Sequence, residues 1–170
     1  RVLSVIPSDT RGAEQPREPN GRFAATGGGA GGGSNKKLID KSDESGIIKE
    51  KSIKSITEIT DSAINKVAKL SSNEYTDEQC NKIQEQHKEL LEYSRSENGN
   101  KEVAFVLDSN FGNRKKFKGK DDNLNFDSPV YGKDLIVMHN HPRNSSFSDT
   151  DIKFFLSNSS VKTLTIVKKR

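Results

Sequence analysis

The spacing of apolar residues changes from helical to strand-like midway along the chain. Between Lys36 and Leu70 most positions are polar or charged, yet Ile53, Ile56, Thr60, Ala63, Val67 and Leu70 recur at intervals of three and four. Such intervals line up one narrow apolar stripe, which predicts an amphipathic helix from about Lys49 to Leu70. With Thr and Ala in it, the stripe makes a poor coiled-coil seam, so its expected partner is the domain that follows and not a second copy. The next helix is better marked. Thr76-Asp77-Glu78-Gln79 is a capping box with acids in the first turn, Cys80, Ile83, His87, Leu90 and Leu91 form an apolar face, and Glu97-Asn98-Gly99-Asn100 ends it. His87 on that face reads as a packed core residue, and Cys80 as core instead of nucleophile.

Beyond Gly99 the period shortens. Val103 to Leu107 reads as a buried strand, Asp108 to Asn113 as a turn, and Arg114 to Gly119 as the returning arm of a hairpin. A polar loop from Lys120 to Pro129 then leads to a strand at Leu135 to His139, a histidine loop, a helix from about Asp149 to Ser157 and a strand at Thr163 to Val167. The order helix, hairpin, strand, helix, strand predicts an α/β fold, a small mixed β-sheet flanked by helices.

Composition qualifies this picture. An apolar fraction of 30% and a mean hydropathy of −0.82 over 170 residues are low for a chain packed throughout. Residues 1–35 carry Pro7, Pro16, Pro19 and a glycine run from Gly27 to Ser34, a composition that gains too little burial to order the chain, so a flexible tether is expected. At its start, Val2 to Ile6 reads as the last strand of a preceding domain, and opening on Arg1 suggests a fragment of something longer. The expected organisation is thus a tether over 1–35, a charged helical segment over 36–72 and a folded domain over 73–170. One cysteine excludes an internal disulfide framework, and no run approaches the roughly 18 apolar residues of a membrane span. A soluble protein without signal peptide or membrane contact is expected. The net charge of +4 distributes 28 basic residues among 24 acidic ones. The one tight basic cluster, Arg114-Lys115-Lys116 with Lys118 and Lys120, is answered by Asp121 and Asp122, so it reads as a solvated hairpin tip and nucleic acid is not the expected partner.

The chemistry concentrates at His139-Asn140-His141-Pro142, which holds two of the chain's three histidines and follows the apolar run Leu135 to Met138. A strand alternates its side chains, so His139 and His141 share one side while Asn140 points away. Pro142 stops the strand, and Ser148-Asp149-Thr150-Asp151 is a serine N-cap with a carboxylate three residues on. That signature starts a helix with or without a metal. It also returns a third oxygen ligand, Asp151, so that two imidazoles and one carboxylate leave a fourth position for water, the arrangement of a catalytic Zn2+ site. Hydrolysis further needs a base beside the metal. Glu102, at the mouth of the strand from Val103, is the candidate, its plain alternative being an exposed strand-start residue.

A helix, a glutamate opening an apolar strand and hairpin, an apolar strand ending in His-x-His-Pro, and then Ser-x-x-Asp resemble the JAB/MPN metallopeptidases with their JAMM motif, particularly the RadC-like bacterial and phage branch. The resemblance runs from about Tyr75 to Val167. It implies that His139, His141 and Asp151 bind zinc, that Glu102 is the general acid/base on the water there, that Ser148 helps to stabilise the oxyanion, and that the substrate is a protein or peptide. The chain departs from the family in two places. The loop between His141 and Ser148, Pro142 to Phe147, is one residue short, and the chain ends at Arg170 where the family fold continues with further strands. Asn20-Gly21-Arg22-Phe23-Ala24 before the glycine run is similar to linkers in phage head-morphogenesis proteins, in which JAB-like and other toxin-like domains are appended to a capsid-associated module. That similarity implies phage head proteins as partners and a cytoplasmic or virion-associated location. Two other functions remain open at this point: a non-catalytic phage structural module, and a metal-dependent nuclease or toxin domain.

Overall fold

The computed structural model describes residues 1–8, 55–120, 124 and 131–169. Within them the chain runs through β1 (Val2–Ile6), α1 (Asp61–Asn65), α2 (Asp77–Asn98), β2 (Val103–Leu107), β3 (Lys115–Lys118), β4 (Leu135–His139), α3 (Asp149–Ser157) and β5 (Val161–Val167). The five strands form one mixed sheet in the order β1-β5-β4-β2-β3. β1 and β4 run parallel to β5, while β2 is antiparallel to both β4 and β3. The protein is therefore a mixed α/β fold, as the period changes predict.

Local chemistry explains the element ends. Thr76 caps α2 through a complete capping box, and Gly99 closes it in the left-handed conformation (φ 57°) that costs glycine no Cβ clash. Ser148 caps α3 in the same way, with Asp151 as the reciprocating residue. β2 and β4 are buried at every position, so each reads as an unbroken apolar run with helices over both faces. On one face Phe105, Leu107, Ile136 and Met138 pack with Ile83, Leu90 and Leu91 of α2. On the other, Val106, Leu135, Val137 and Leu164 pack with Phe155 of α3.

Two expectations are corrected. Val2–Ile6 is a strand, but it is an edge strand of this sheet, in parallel register from Val2 with Thr163 to Ile6 with Val167, and neither belongs to a separate domain nor begins a tether. The rest of the expected tether, including Asn20 to Ala24 and the glycine run, lies outside the described residues. Of the helix expected from about Lys49 to Leu70, residues 49–54 lie outside the described residues, and over the rest only Asp61–Asn65 is helical. Tertiary hydrogen bonds replace the helical ladder on both sides of it: Thr57 N donates to the Pro142 carbonyl, Ile59 N to Asn100 Oδ1 and Ala68 N to the Pro7 carbonyl. Thr60 then serves as the N-cap of α1, its hydroxyl accepting from Ala63 N. The stripe is nonetheless used. Ile59, Val67 and Leu70 enter the core with α2, so residues 55–72 and the expected domain over 73–170 share one packing unit.

Candidate metal centre

β4, α3 and β5 form one strand-helix-strand crossover between parallel neighbours, which sets the N-terminus of α3 beside the end of β4. His139 is the last residue of β4, and Asp151 sits in the first turn of α3. The antiparallel register pairs Ala104 with His139, and carried on by two residues it sets Glu102 opposite His141. Three segments, at Glu102, at His139 with His141 and at Asp151, thus bring their functional groups to one end of the sheet.

The two imidazoles meet at Nε2, 3.1 Å apart. Asp151 Oδ1 lies 3.3 Å from His139 Nε2, and Asp151 Oδ2 lies 3.3 Å from His141 Nε2. Tetrahedral ligands about 2.0–2.1 Å from a zinc ion stand about 3.3–3.4 Å from one another, and the two nitrogens and the two oxygens of Asp151 meet at separations of that size. Glu102, His139 and His141 are buried, their ligand atoms lie within 4.8 Å of one another, and the group could hold a metal ion. Two carboxylates therefore compete to be the third ligand. Asp151 approaches each imidazole with a different oxygen at 3.3 Å, and Glu102 lies within 4.8 Å of both, so the spacing admits either carboxylate.

Outer contacts orient both rings. The His139 ring donates to the Thr165 main-chain carbonyl, and His141 Nδ1 lies 2.8 Å from Ser145 Oγ. Because Nε2 of His139 faces His141 and Asp151, the nitrogen serving Thr165 is Nδ1. In the neutral ring this leaves a lone pair on Nε2, turned toward the other two groups. Burial pushes His139 below the ordinary histidine range, against the opposing pull of Asp151, so the neutral form prevails. Burial raises the Asp151 carboxyl, but its interactions with His139, His141 and Ser148 outweigh it and hold the group ionised. A lone pair and a carboxylate at 3.3 Å repel one another unless a proton or a metal cation sits between them.

Asp151 also completes the α3 cap. Its Oδ2 accepts from Ser148 N at 2.7 Å and from the Ser148 hydroxyl at 2.7 Å, while the same hydroxyl accepts from Asp151 N. Capping and ligand placement are thus one arrangement, with the helix cap aiming the carboxylate at the histidines. The Ser148 proton is committed to Asp151, which makes Ser148 a positioning group in this geometry and not a free donor to an oxyanion. A cleft of about 880 Å³ opens over the site, lined by all five residues singled out from the sequence. Val137, Leu164 and Phe154 give it apolar wall.

Sequence reasoning passed over several supporting residues. Asn140 is fully buried on the opposite face, where its Oδ1 accepts from Val103 N and its Nδ2 donates to Ser94 Oγ and the Lys101 carbonyl. It ties the histidine turn to β2 and the end of α2. Its signal was a lone polar residue continuing an apolar strand face. Ser145, Thr165 and Lys169 carry no comparable signal. His87, expected in the core, is there: Nε2 is 2.7 Å from Thr165 Oγ1, and burial pushes the ring down to about 3. Cys80 is likewise buried and unpaired to another cysteine.

The basic cluster is partly neutralised from α2. Arg114 pairs with Glu89 and contacts the Phe105 ring, Lys118 pairs with Glu97, and Lys116 lies 4.7 Å from the Tyr93 ring centroid. Among the described residues no helix is long and apolar enough to cross a membrane. No family model, curated protein or solved structure matches the chain.

Proposed function

We propose that this chain is a zinc-dependent hydrolase of the JAB/MPN type that cleaves a peptide or isopeptide bond. The observation that carries the reading is the convergence of His139 Nε2, His141 Nε2 and the two oxygens of Asp151, at separations of 3.1 to 3.3 Å. Two imidazoles with one carboxylate suit zinc, and an open fourth position suits catalysis over a purely structural role. Zinc bound there lowers the pKa of water to about 7 and polarises a carbonyl.

The residues of the chain supply the rest. His139 and His141 offer ring nitrogens, fixed by Thr165 and Ser145. Asp151 supplies a charged oxygen, fixed by the α3 cap. Glu102, buried beside the histidines, takes the proton from the attacking water and returns it to the leaving amine. The apolar wall of Val137, Leu164 and Phe154 excludes water around the reacting bond and offers a surface to the substrate's side chains. Pairing of Arg114 and Lys118 with acids of α2 favours this reading over a nuclease.

The experiment is hydrolysis of fluorogenic peptides and of lysine-isopeptide model substrates by the zinc-loaded chain. Wild type should cleave at least one of these classes and Glu102→Gln neither, with zinc still bound to the variant. Cleavage of single-stranded or duplex nucleic acid, lost on His141→Ala, would replace the peptidase reading by the nuclease one. A zinc-loaded wild type inert toward every substrate would favour the non-catalytic structural module.

A further inference from the structure

His139 and His141 are held by different means. His139 belongs to β4 and is placed by the sheet, whereas His141 lies past the strand end, on the loop that also carries its Nδ1 partner Ser145. The 3.1 Å between the two Nε2 atoms therefore depends on what fixes residues 142–145. The loop has one internal main-chain bond, Asn144 N to the His141 carbonyl, and Asn144 adopts a left-handed φ of 59°. Such a turn is only partly self-supporting.

Two lysines directly after β5 grip it. Lys168 Nζ donates to the carbonyls of Asn144 at 2.7 Å and Ser145 at 2.6 Å. Lys169 N donates to Asn144 Oδ1 at 2.8 Å, and Lys169 Nζ donates to the Pro142 carbonyl at 3.2 Å. Lys169 is 1% exposed, and its ammonium group also donates to the carbonyls of Thr57 and Asn100. Three N–H groups thus meet three main-chain acceptors from three segments, and the buried ammonium is attracted by the charge of Glu102 as well. β5 pairs with β4 from Leu135 to His139, so both lysines refer the loop to the strand pair that places His139.

Resting on the metal-site reading above, we infer that Lys168 and Lys169 form a clamp that sets the histidine loop in its metal-binding shape, as positioning residues for His141. The clamp also accounts for a short loop reaching the site: the shape is imposed from β5 and not by the loop's own length. Metal ligands depend on outer contacts of this kind, whose loss typically weakens binding about 10- to 100-fold.

The test uses the full 170-residue chain with Co2+ as the probe, reading affinity by competition with a chromophoric chelator and ligand geometry by visible absorption. Lys168→Met, at a partly exposed side chain, should bind Co2+ about 10-fold more weakly with an altered spectrum, and Lys168→Arg should recover both. Lys169→Met should weaken binding further. Ile83→Val, a core change on α2, should lower the melting temperature and leave the Co2+ affinity and spectrum unchanged. Wild-type affinity and spectrum in Lys168→Met would overturn the clamp, whether or not Lys169→Met folds. Failure of the wild-type chain itself to bind Co2+ would instead contradict the metal-site reading.

Discussion

Two buried histidines approach the same residue of β5 from different sides and end in different surroundings. His87, on α2, reaches the Thr165 hydroxyl through Nε2, and its Nδ1 has no hydrogen-bond partner. His139, at the end of β4, uses the Thr165 carbonyl for one nitrogen and turns the other toward His141 and Asp151. Both are nearly inaccessible, and burial lowers the proton affinity of both. Only the second has a convergent set of acceptors around it. Burial alone makes a histidine neutral. A carboxylate and a second imidazole at ligand spacing make that neutrality useful, because a lone pair freed of its proton can take a metal.

The contrast can be broken in graded ways. The largest effect is expected at Glu102, whose change to Gln should lower hydrolysis by about 10²- to 10⁴-fold while leaving zinc stoichiometry unchanged. Zinc loss together with activity would move Glu102 into the ligand set, as its distance to the histidines permits. Next in size is the pH dependence of zinc affinity. His139 must be neutral to bind, and burial lowers its proton affinity, so affinity should fall only at a pH beneath the ordinary histidine value of about 6.5, and His87→Phe should leave that fall unchanged. A competition titration across pH 5 to 8 reads it.

His87 should show itself only in stability. Its folded value of about 3 lies below the ordinary 6.5, so the unfolded chain binds the extra proton between these limits and stability rises with pH across that window. Acidification from pH 7 to 5 should cost about 2 kcal/mol through His87. Urea unfolding of the zinc-loaded chain should show a shallower pH dependence in His87→Phe than in wild type, and an equal slope would mean that the ring is protonated when folded. The smallest effect is expected for Ser148→Ala: about 1 kcal/mol from the lost α3 cap, with zinc affinity reduced by about 10-fold as Asp151 loses its hydroxyl donor. An unchanged affinity would separate capping from ligand placement.

Much of the fold was legible because local and tertiary preferences agree. The capping boxes at Thr76 and Ser148 announce α2 and α3, and the unbroken runs at Val103 and Leu135 announce β2 and β4. Reading failed where long-range pairing overrode a local pattern. The stripe through Val67 looks helical, yet its backbone is held by Pro7, Asn100 and Pro142, partners that no local window contains. β1 was visible as a strand, but its partner β5 lies more than 150 residues away. The same division runs through the site. The histidines and Asp151 carry spacing that the chemistry requires, whereas Asn140 and Lys169 matter only through contacts made by the finished fold.

The most direct measurement is the metal content of the purified chain beside that of His139→Ala, with circular dichroism to establish that both are folded. Wild type should retain one zinc per chain through dialysis, and the variant should retain none while keeping its sheet and helices. A folded wild type without stoichiometric zinc, unable to take it up at neutral pH, would contradict the account and make His139, like His87, a histidine buried for packing.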